Sequence, residues 1–457
     1  MRGSNRREFL KRSAVVAGAS VVAAPAIARS AQSANGRIRI GMVGLGGRMQ
    51  SHIACLARMA KESNVEIAAI CDCDKAKLAT AEKDYPDLAG LKLKTFTDQR
   101  KLFDDKSIDA VSFSTQDHWH ALQTIWACQA GKDVYVEKPP TWCIWEGRKM
   151  VEAARRHKRM VQIGTQNRSS PNVCEGMQKL KQGAIGKLYM ARGMTYKMRG
   201  NLGKHRPGPV PEGLDWDSWV GPAKLVPYSE FQRHRWYWIE NFASGDVANQ
   251  TVHDVDKIRW GLGLDTHPNT VMSLGGRYVP GDADDADTPN TQAFLCQWAG
   301  RSVLVTFEFR HWYTNSEANM RDKYPFVAPD QCVGEIFFGS EGYMIFPDYS
   351  SYYTFLGPKN EPGPFKTAGP GIDWRSESIP HFQNWVAAMR SRRHEDLNAD
   401  VEQGHLSATI CHLAKISCKL GRSVHLDPKT ERFVNDPEAD KFLKRDYRKP
   451  YVVPDRV

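Results

Sequence analysis

"RIRIGMVGLGGRMQSHIACLARMAKESNVEIAAICDCD", residues 37–74, passes from an apolar run through a glycine turn into a helical pattern, then into a second apolar run closed by an acid. Strand, turn, helix, strand and acid in that order open a dinucleotide-binding unit. Gly44, Gly46 and Gly47 permit the tight turn and let the backbone approach a pyrophosphate, which would sit at the helix N-terminus. Asp72 falls where a ribose-binding carboxylate belongs. A carboxylate there accepts from ribose hydroxyls and repels a 2′-phosphate, so NAD is expected over NADP. Met49 stands where a third small residue is usual, and Arg48 is placed to contact the pyrophosphate.

Outward from this stretch, strand-like runs recur at 91–96, 109–114, 133–136 and 160–163, with helical patterns at 121–130 and 146–157. Such alternation predicts an α/β fold with a doubly wound parallel sheet. From about Gly186 the pattern changes to "KLYMARGMTY", "TQAFLCQW", "SVLVTFEFR" and "GEIFFG…GYMIF", strands with few helices between them. They predict an α+β region built on an open-faced, mostly antiparallel sheet. The expected division is a Rossmann domain over 37–168 and a substrate and oligomerisation domain over 169–457. The intervening Lys197–Phe242 segment is rich in Pro, Gly and Trp and lacks periodicity, as functional loops do.

The N-terminus reads as an address. "SNRREFLKRSAVVAGASVVAAPAIA" joins paired arginines to a short apolar run and small residues at Ala26 and Ala28, the pattern of a twin-arginine signal over residues 1–28. Residues 29–36 then form a linker. Fifteen residues from Ala14 to Ala28, with Pro25 among them, are too few for a membrane anchor. The expected location is therefore the periplasm, or another exported compartment, reached through the twin-arginine translocase. Loss of residues 1–28, which carry five Lys/Arg and one Glu, takes the formal charge from +11 to +7. The basic residues left are dispersed, which argues against nucleic-acid binding. Ten cysteines include no CxxC pair and none at zinc-finger spacing to a histidine. Export of an already folded protein makes buried free thiols the expectation.

Two further segments fall at carboxyl ends of parallel strands, where ligands bind in such sheets. They are "STQDHWHA" (114–121) and "VYVEKPP" (134–140). Lys138 beside Glu137, just past a buried strand, can be tuned for proton transfer. Far downstream, "GDVANQTVHDVDKIRWGLG" (245–263) sets Asn249, His253, Asp256 and Trp260 on one helical face. With the glycine turn, Thr115 and His120 after the fourth strand, and Glu-Lys-Pro after the fifth, the chain resembles the Gfo/Idh/MocA oxidoreductases.

That resemblance implies a substrate held between the two domains over the nicotinamide. It also implies that Lys138 and His253 form the catalytic pair, with Asp256 as support. Where the family carries an aspartate, this chain has Asn249, which can orient a hydroxyl or the lysine but not take a proton at neutral pH. Cofactor contacts are expected from Gly44, Gly46, Gly47, Arg48, Met49, Asp72, Thr115, Asp117, Trp119, His120, Glu137, Lys138 and Gln166. Gln166, Asn167 and Arg168 occupy a position that in the family faces cofactor or substrate. Arg168, Asn249 and His253 are the substrate-side candidates, joined by Arg235 and Trp236 of "FQRHRWYWIENF" as a carbohydrate lip.

No metal is expected. The predicted partners are a carbohydrate or polyol and further copies of the chain in a dimer or tetramer. Three functions remain open: hydride exchange with a secondary hydroxyl by a tightly held cofactor, glycoside cleavage or elimination through transient oxidation, and non-catalytic dinucleotide or sugar binding.

Overall fold

In the computed structural model, the described residues are 36–200, 202–278, 284–313, 327–328, 331–367 and 377–457. The sequence-derived signal segment and most of its linker lie outside them. Residues 37–457 cluster as a single unit. Six strands, β1 (Ile38–Val43), β2 (Val65–Cys71), β3 (Lys94–Phe96), β4 (Ala110–Phe113), β5 (Asp133–Val136) and β6 (Val161–Ile163), form a sheet in the order 3-2-1-4-5-6. Every pairing in it is parallel. Helices α1 (Met49–Met59), α2 (Asp117–Gln129) and α3 (Ile144–Arg156) are among its crossovers. β1 lies between β2 and β4, so the chain reverses direction across the sheet there, and the carboxyl ends of β1 and β4 leave a crevice for a ligand.

Eleven strands make the second sheet. Among the described residues these are β7 (Leu188–Lys197), β8 (Thr270–Gly276), β9 (Thr291–Gln297), β10 (Leu304–Arg310), β11 (Val327–Ala328), β12 (Gln331–Gly339), β13 (Gly342–Phe346), β14 (Tyr352–Leu356), β15 (Glu361–Lys366), β16 (Val424–Asp427) and β17 (Arg432–Phe433), in the order β15-β14-β13-β12-β7-β10-β9-β8-β16-β17, with β11 pairing β12 off that path. β7 (Leu188–Lys197) and β10 (Leu304–Arg310) run parallel; the other pairings are antiparallel. One face carries the core, where Val252, Val255 and Ile258 meet Ile410, Leu413, Phe294 and Phe307. These belong to helices α5 (Thr251–Leu262) and α7 (Val401–Leu420) and strands β9 (Thr291–Gln297) and β10. On the other face Met272 and Leu295, paired in register, stay exposed together with Leu274.

Late segments return to the first sheet. Phe382, Trp385 and Met389 of helix α6 (Ile379–Ser391) pack with Ile40, Met42 and Tyr135, while Tyr451 and Val453 join Val111 and Trp119. Helical periodicity and strand alternation identify the elements, but this return of the chain has no local signature. The 245–263 stretch also differs from a single helix. It divides into α4 (Asp246–Asn249) and α5, separated by Gln250. All ten cysteines are unpaired, and seven of them are buried. Among the described residues no helix is long and apolar enough to cross a membrane.

Candidate active site

The turn between β1 and α1 is shaped around a ligand. Gly44 has φ +85°, and a Cβ on it would meet Thr115 Cγ2 at 2.7 Å, so only glycine lets the turn nest on the end of β4. Beyond it, a Cβ on Gly47 would meet nothing within 4 Å, and one on Gly46 only the Ser114 carbonyl oxygen at 3.9 Å. This open space belongs to a cavity of about 290 Å³ lined also by Asp72, Thr115 and Trp119. Asp72 accepts from the Leu45 N–H at 2.7 Å and the Asp74 N–H at 2.9 Å, which fixes the carboxyl, and burial raises its pKa.

Leu214, Trp219, Arg233 and Trp236 from the long Trp-rich segment, with Tyr451 from the tail, complete the cavity wall. The Trp119 indole donates to the Trp219 carbonyl at 3.0 Å, tying α2 to that strap. A glycine-lined opening at a helix N-terminus, with a carboxylate at the end of β2, fits a dinucleotide.

Past β5 the chemistry changes. Lys138 Nζ donates to the Asn249 carbonyl oxygen at 2.7 Å and to its Oδ1 at 3.1 Å. Burial lowers the Lys138 pKa against the opposing pull of Glu137 and Asp117. Burial also disfavours charge on Glu137. However, Arg48 Nε at 2.8 Å and His52 Nε2 at 3.0 Å outweigh it and hold the carboxyl well below the usual range. The Asp117 carboxyl is pushed well up by its burial.

His253 is buried, its Nδ1 has no partner, and its ring centroid lies 5.4 Å from that of Tyr349. Desolvation first, and the Lys138 charge second, hold the pKa of this imidazole well below its usual value. Nearby, the turn Gln166–Ser169 is bolted to α5 by a guanidinium fork. Arg168 Nε and Nη2 donate to the Asp256 oxygens at 2.7 and 2.9 Å. Thr165 Oγ1, Gln166 Oε1 and both amide atoms of Asn167 are buried there without partners. Buried polar atoms are normally paired, so such a group calls for a ligand or water.

Two family models match this architecture: an oxidoreductase family, NAD-binding Rossmann fold over residues 38–165, and an oxidoreductase family, C-terminal alpha/beta domain over 187–283 and 365–453. The chain belongs to the Gfo/Idh/MocA oxidoreductase family. An inositol 2-dehydrogenase of Salmonella paratyphi B is 29% identical over 160 residues, 35% of this chain and 46% of its own length. The chain thus spans about half the length of that relative. The rhizopine catabolism protein MocA of Rhizobium meliloti is 26% identical over 54% of this chain and 74% of its own. A glycosyl hydrolase family 109 protein of Shewanella sp. is 29% identical over 41% and 45%. A levoglucosan dehydrogenase solved with NADH and levoglucosan shares the fold, with TM-score 0.65, 17% identity, and coverage of 85% of this chain and 99% of its own.

Several side chains in this Gfo/Idh/MocA member take other work than their position in the sequence suggests. Met49 turns into the core with Leu45 and Ile53, because its apolar side chain lies on the inner face of α1. Arg48 reaches Glu137 rather than the glycine opening. His120 is braced at both nitrogens, by the Pro139 carbonyl at 2.7 Å and the Thr115 carbonyl at 3.1 Å, so it locks two loops together. Asp256 does not support His253. Its carboxylate is taken by Arg168 and by Ser407 Oγ at 2.7 Å, so two of the three Arg168 guanidinium nitrogens are committed to Asp256.

Trp260 is placed by the same junction, 5.5 Å from the Arg168 guanidinium. Trp236 lines the cavity beside Asp72 instead of forming a lip, and Arg235 is exposed. Residues the sequence reading passed over are Asp246, Tyr349, His52 and Glu377. Glu377 accepts from Gln166 Nε2 at 3.3 Å. Only Asp246, inside "GDVANQ", stood within a segment already suspect. Away from this site, His267, His405 and Glu431 converge as metal ligands can, but Arg148 Nη2 also reaches the same Glu431 oxygen, at 2.6 Å.

Proposed function

We propose that this protein oxidises or reduces a secondary hydroxyl of a sugar or polyol, using NAD held in the strapped cavity, with Lys138 and His253 handling the proton. The observation that carries this reading is a buried His253 whose Nδ1 lacks a partner, with Lys138 docked on Asn249 four residues before it, amid further buried polar atoms without partners. Bound NAD would supply the hydride acceptor at the alcohol carbon. Lys138 holds the reacting oxygen by hydrogen bond, His253 accepts the hydroxyl proton, and the partnerless amides near Asn167 orient neighbouring hydroxyls. The inositol 2-dehydrogenase likeness supports the polyol class.

A second outcome of the same site is glycoside cleavage through transient oxidation, favoured by the likeness to the family 109 glycosyl hydrolase and by the aromatic strap that would retain the cofactor. The reading also includes export on a twin-arginine signal, checked by fractionating cells that make wild type or R6K/R7K. A second copy covering the exposed Met272, Leu274 and Leu295 face completes it, checked by sedimentation of wild type and Leu274→Lys. The decisive experiment mixes the NAD-loaded protein with sugars, polyols and glycosides and follows nicotinamide absorbance and product release together. Lasting reduction supports the dehydrogenase reading, and cleavage without net reduction supports the second. Neither event with any ligand class, or no affinity for NAD, overturns both.

A further inference from the structure

Asn249 sits between a group that can only accept and a group that can only donate. Its Nδ2 faces Asp246 Oδ1 at 3.4 Å, and its Oδ1 faces Lys138 Nζ at 3.1 Å. A carboxylate offers no proton and an ammonium no lone pair, so the amide has one satisfactory orientation. Asp246 is itself fixed. It is buried at the start of α4, after Gly245 at φ +64°, where a Cβ would collide with Thr288. Arg199 Nη2 reaches both of its oxygens at 3.2 and 3.3 Å, and His311 Nε2 lies 2.9 Å from Oδ2. Arg199 and His311 are in turn joined through backbone at 2.9 Å.

The break at Gln250 adds a second element. In a continuous helix the His253 N–H would bond the Asn249 carbonyl four residues back. Here it bonds the Gln250 carbonyl at 3.1 Å, which leaves the Asn249 carbonyl free to take the Lys138 ammonium. Lys138 therefore rests on two oxygens of one residue, and neither is a carboxylate.

We infer that Asp246 is a positioning residue for Lys138, holding the Asn249 amide oxygen toward the ammonium and supplying a negative charge one turn earlier in the chain. This deepens the function proposed above and rests on it for the importance of Lys138. It also explains the amide, since an aspartate at 249 would set two buried carboxylates against each other. Lys138 is faced by Glu137 from its own strand end, Asp117 from α2, Arg48 from the glycine turn, Asp246 from α4, His253 from α5 and Lys197 from β7. Asp246 is faced by Arg199, His311 and Lys197.

The test uses the full chain and does not require turnover. Competitive acetylation of Lys138 with acetic anhydride, read by mass spectrometry across pH, reports its titration midpoint. Asp246→Asn is expected to lower that midpoint by about one pH unit. The relocated pair D246N/N249D is expected to restore it, and Asn249→Asp alone, which keeps both carboxylates beside the ammonium, to raise it above that of the relocated pair. The same midpoint in wild type, Asp246→Asn and the relocated pair overturns the inference. If Asp246→Asn does not fold, the comparison of wild type, Asn249→Asp and the relocated pair decides it, and a relocated pair no different from Asn249→Asp is then the overturning result. Failure of the function itself looks different: turnover that survives Lys138→Met, whatever the midpoints do.

Discussion

Along the carboxyl edge of the first sheet, the glycine end after β1 and the lysine end after β5 are built on opposite rules. At the glycine end, polar groups are tied down: Asp72 by two backbone N–H groups, and Trp119 by the Trp219 carbonyl. An aromatic strap then closes the cavity. At the lysine end, buried polar atoms of Thr165, Gln166, Asn167 and His253 lack partners, and two ionisable groups are held away from their usual pKa values. The first end is finished protein surface that holds a ligand. On the function proposed above, the second is completed by a substrate that comes and goes. Substitutions at the first should therefore change residence, and substitutions at the second should change rate.

The sharpest break of that contrast is at the lysine end. Lys138→Met and His253→Ala are each expected to cut turnover by about 10²–10⁴-fold, with NAD affinity little changed in an equilibrium titration. Next comes the junction beneath it. Arg168→Leu strips the buried Asp256 of its guanidinium fork and leaves it Ser407 and, at 3.9 Å, Arg259, a loss of about 1–3 kcal/mol in denaturant unfolding, with activity falling only as the fold does.

At the glycine end two neighbouring positions should part company. Gly44→Ala must adopt φ +85° against Thr115 and is expected to cost about 1–3 kcal/mol of stability. Gly47→Val, facing open space, should melt like wild type yet bind NAD about tenfold more weakly. Removal of the strap's indole in Trp236→Ala should speed NAD release by about tenfold, roughly 1.4 kcal/mol, in stopped-flow displacement, and leave the chemical step alone.

The smallest effect is on pH. Arg199 and His311 overcome the burial of Asp246 and bring its pKa down to about 2. A depressed carboxyl contributes stability that is whole above its unfolded value near 3.9 and lost as pH falls toward 2. Asp246→Asn should remove that component from acid-unfolding curves over this window.

The glycine end was almost wholly legible because its parts are neighbours in sequence. Gly44, Gly46, Gly47 and Asp72 lie within one strand–turn–helix–strand unit, whose geometry follows from local backbone preferences. Lys138 and His253 were legible as chemistry, in Glu-Lys-Pro and in the polar face of 245–263. Their partners were not. Asp256 was expected to back His253 from its spacing of three residues, but α7 and the Arg168 turn lie on that side and take the carboxylate instead. Trp236 looked like a sugar platform from its composition, and the course of the strap carried it into the cavity wall beside Asp72.

By itself, the sequence determined the two sheets, the dinucleotide turn and the residue types that handle protons, since periodicity, glycine conformation and side-chain chemistry are properties of short segments. Tertiary structure alone decided which groups meet. The helix break at Gln250 freed one carbonyl, Asp246 reached Arg199 and His311 from distant strands, and burial moved the pKa values of Lys138 and His253. Hydrogen bonds and desolvation depend on distances through space, and those are set only once the second sheet and the late helices have closed on the first.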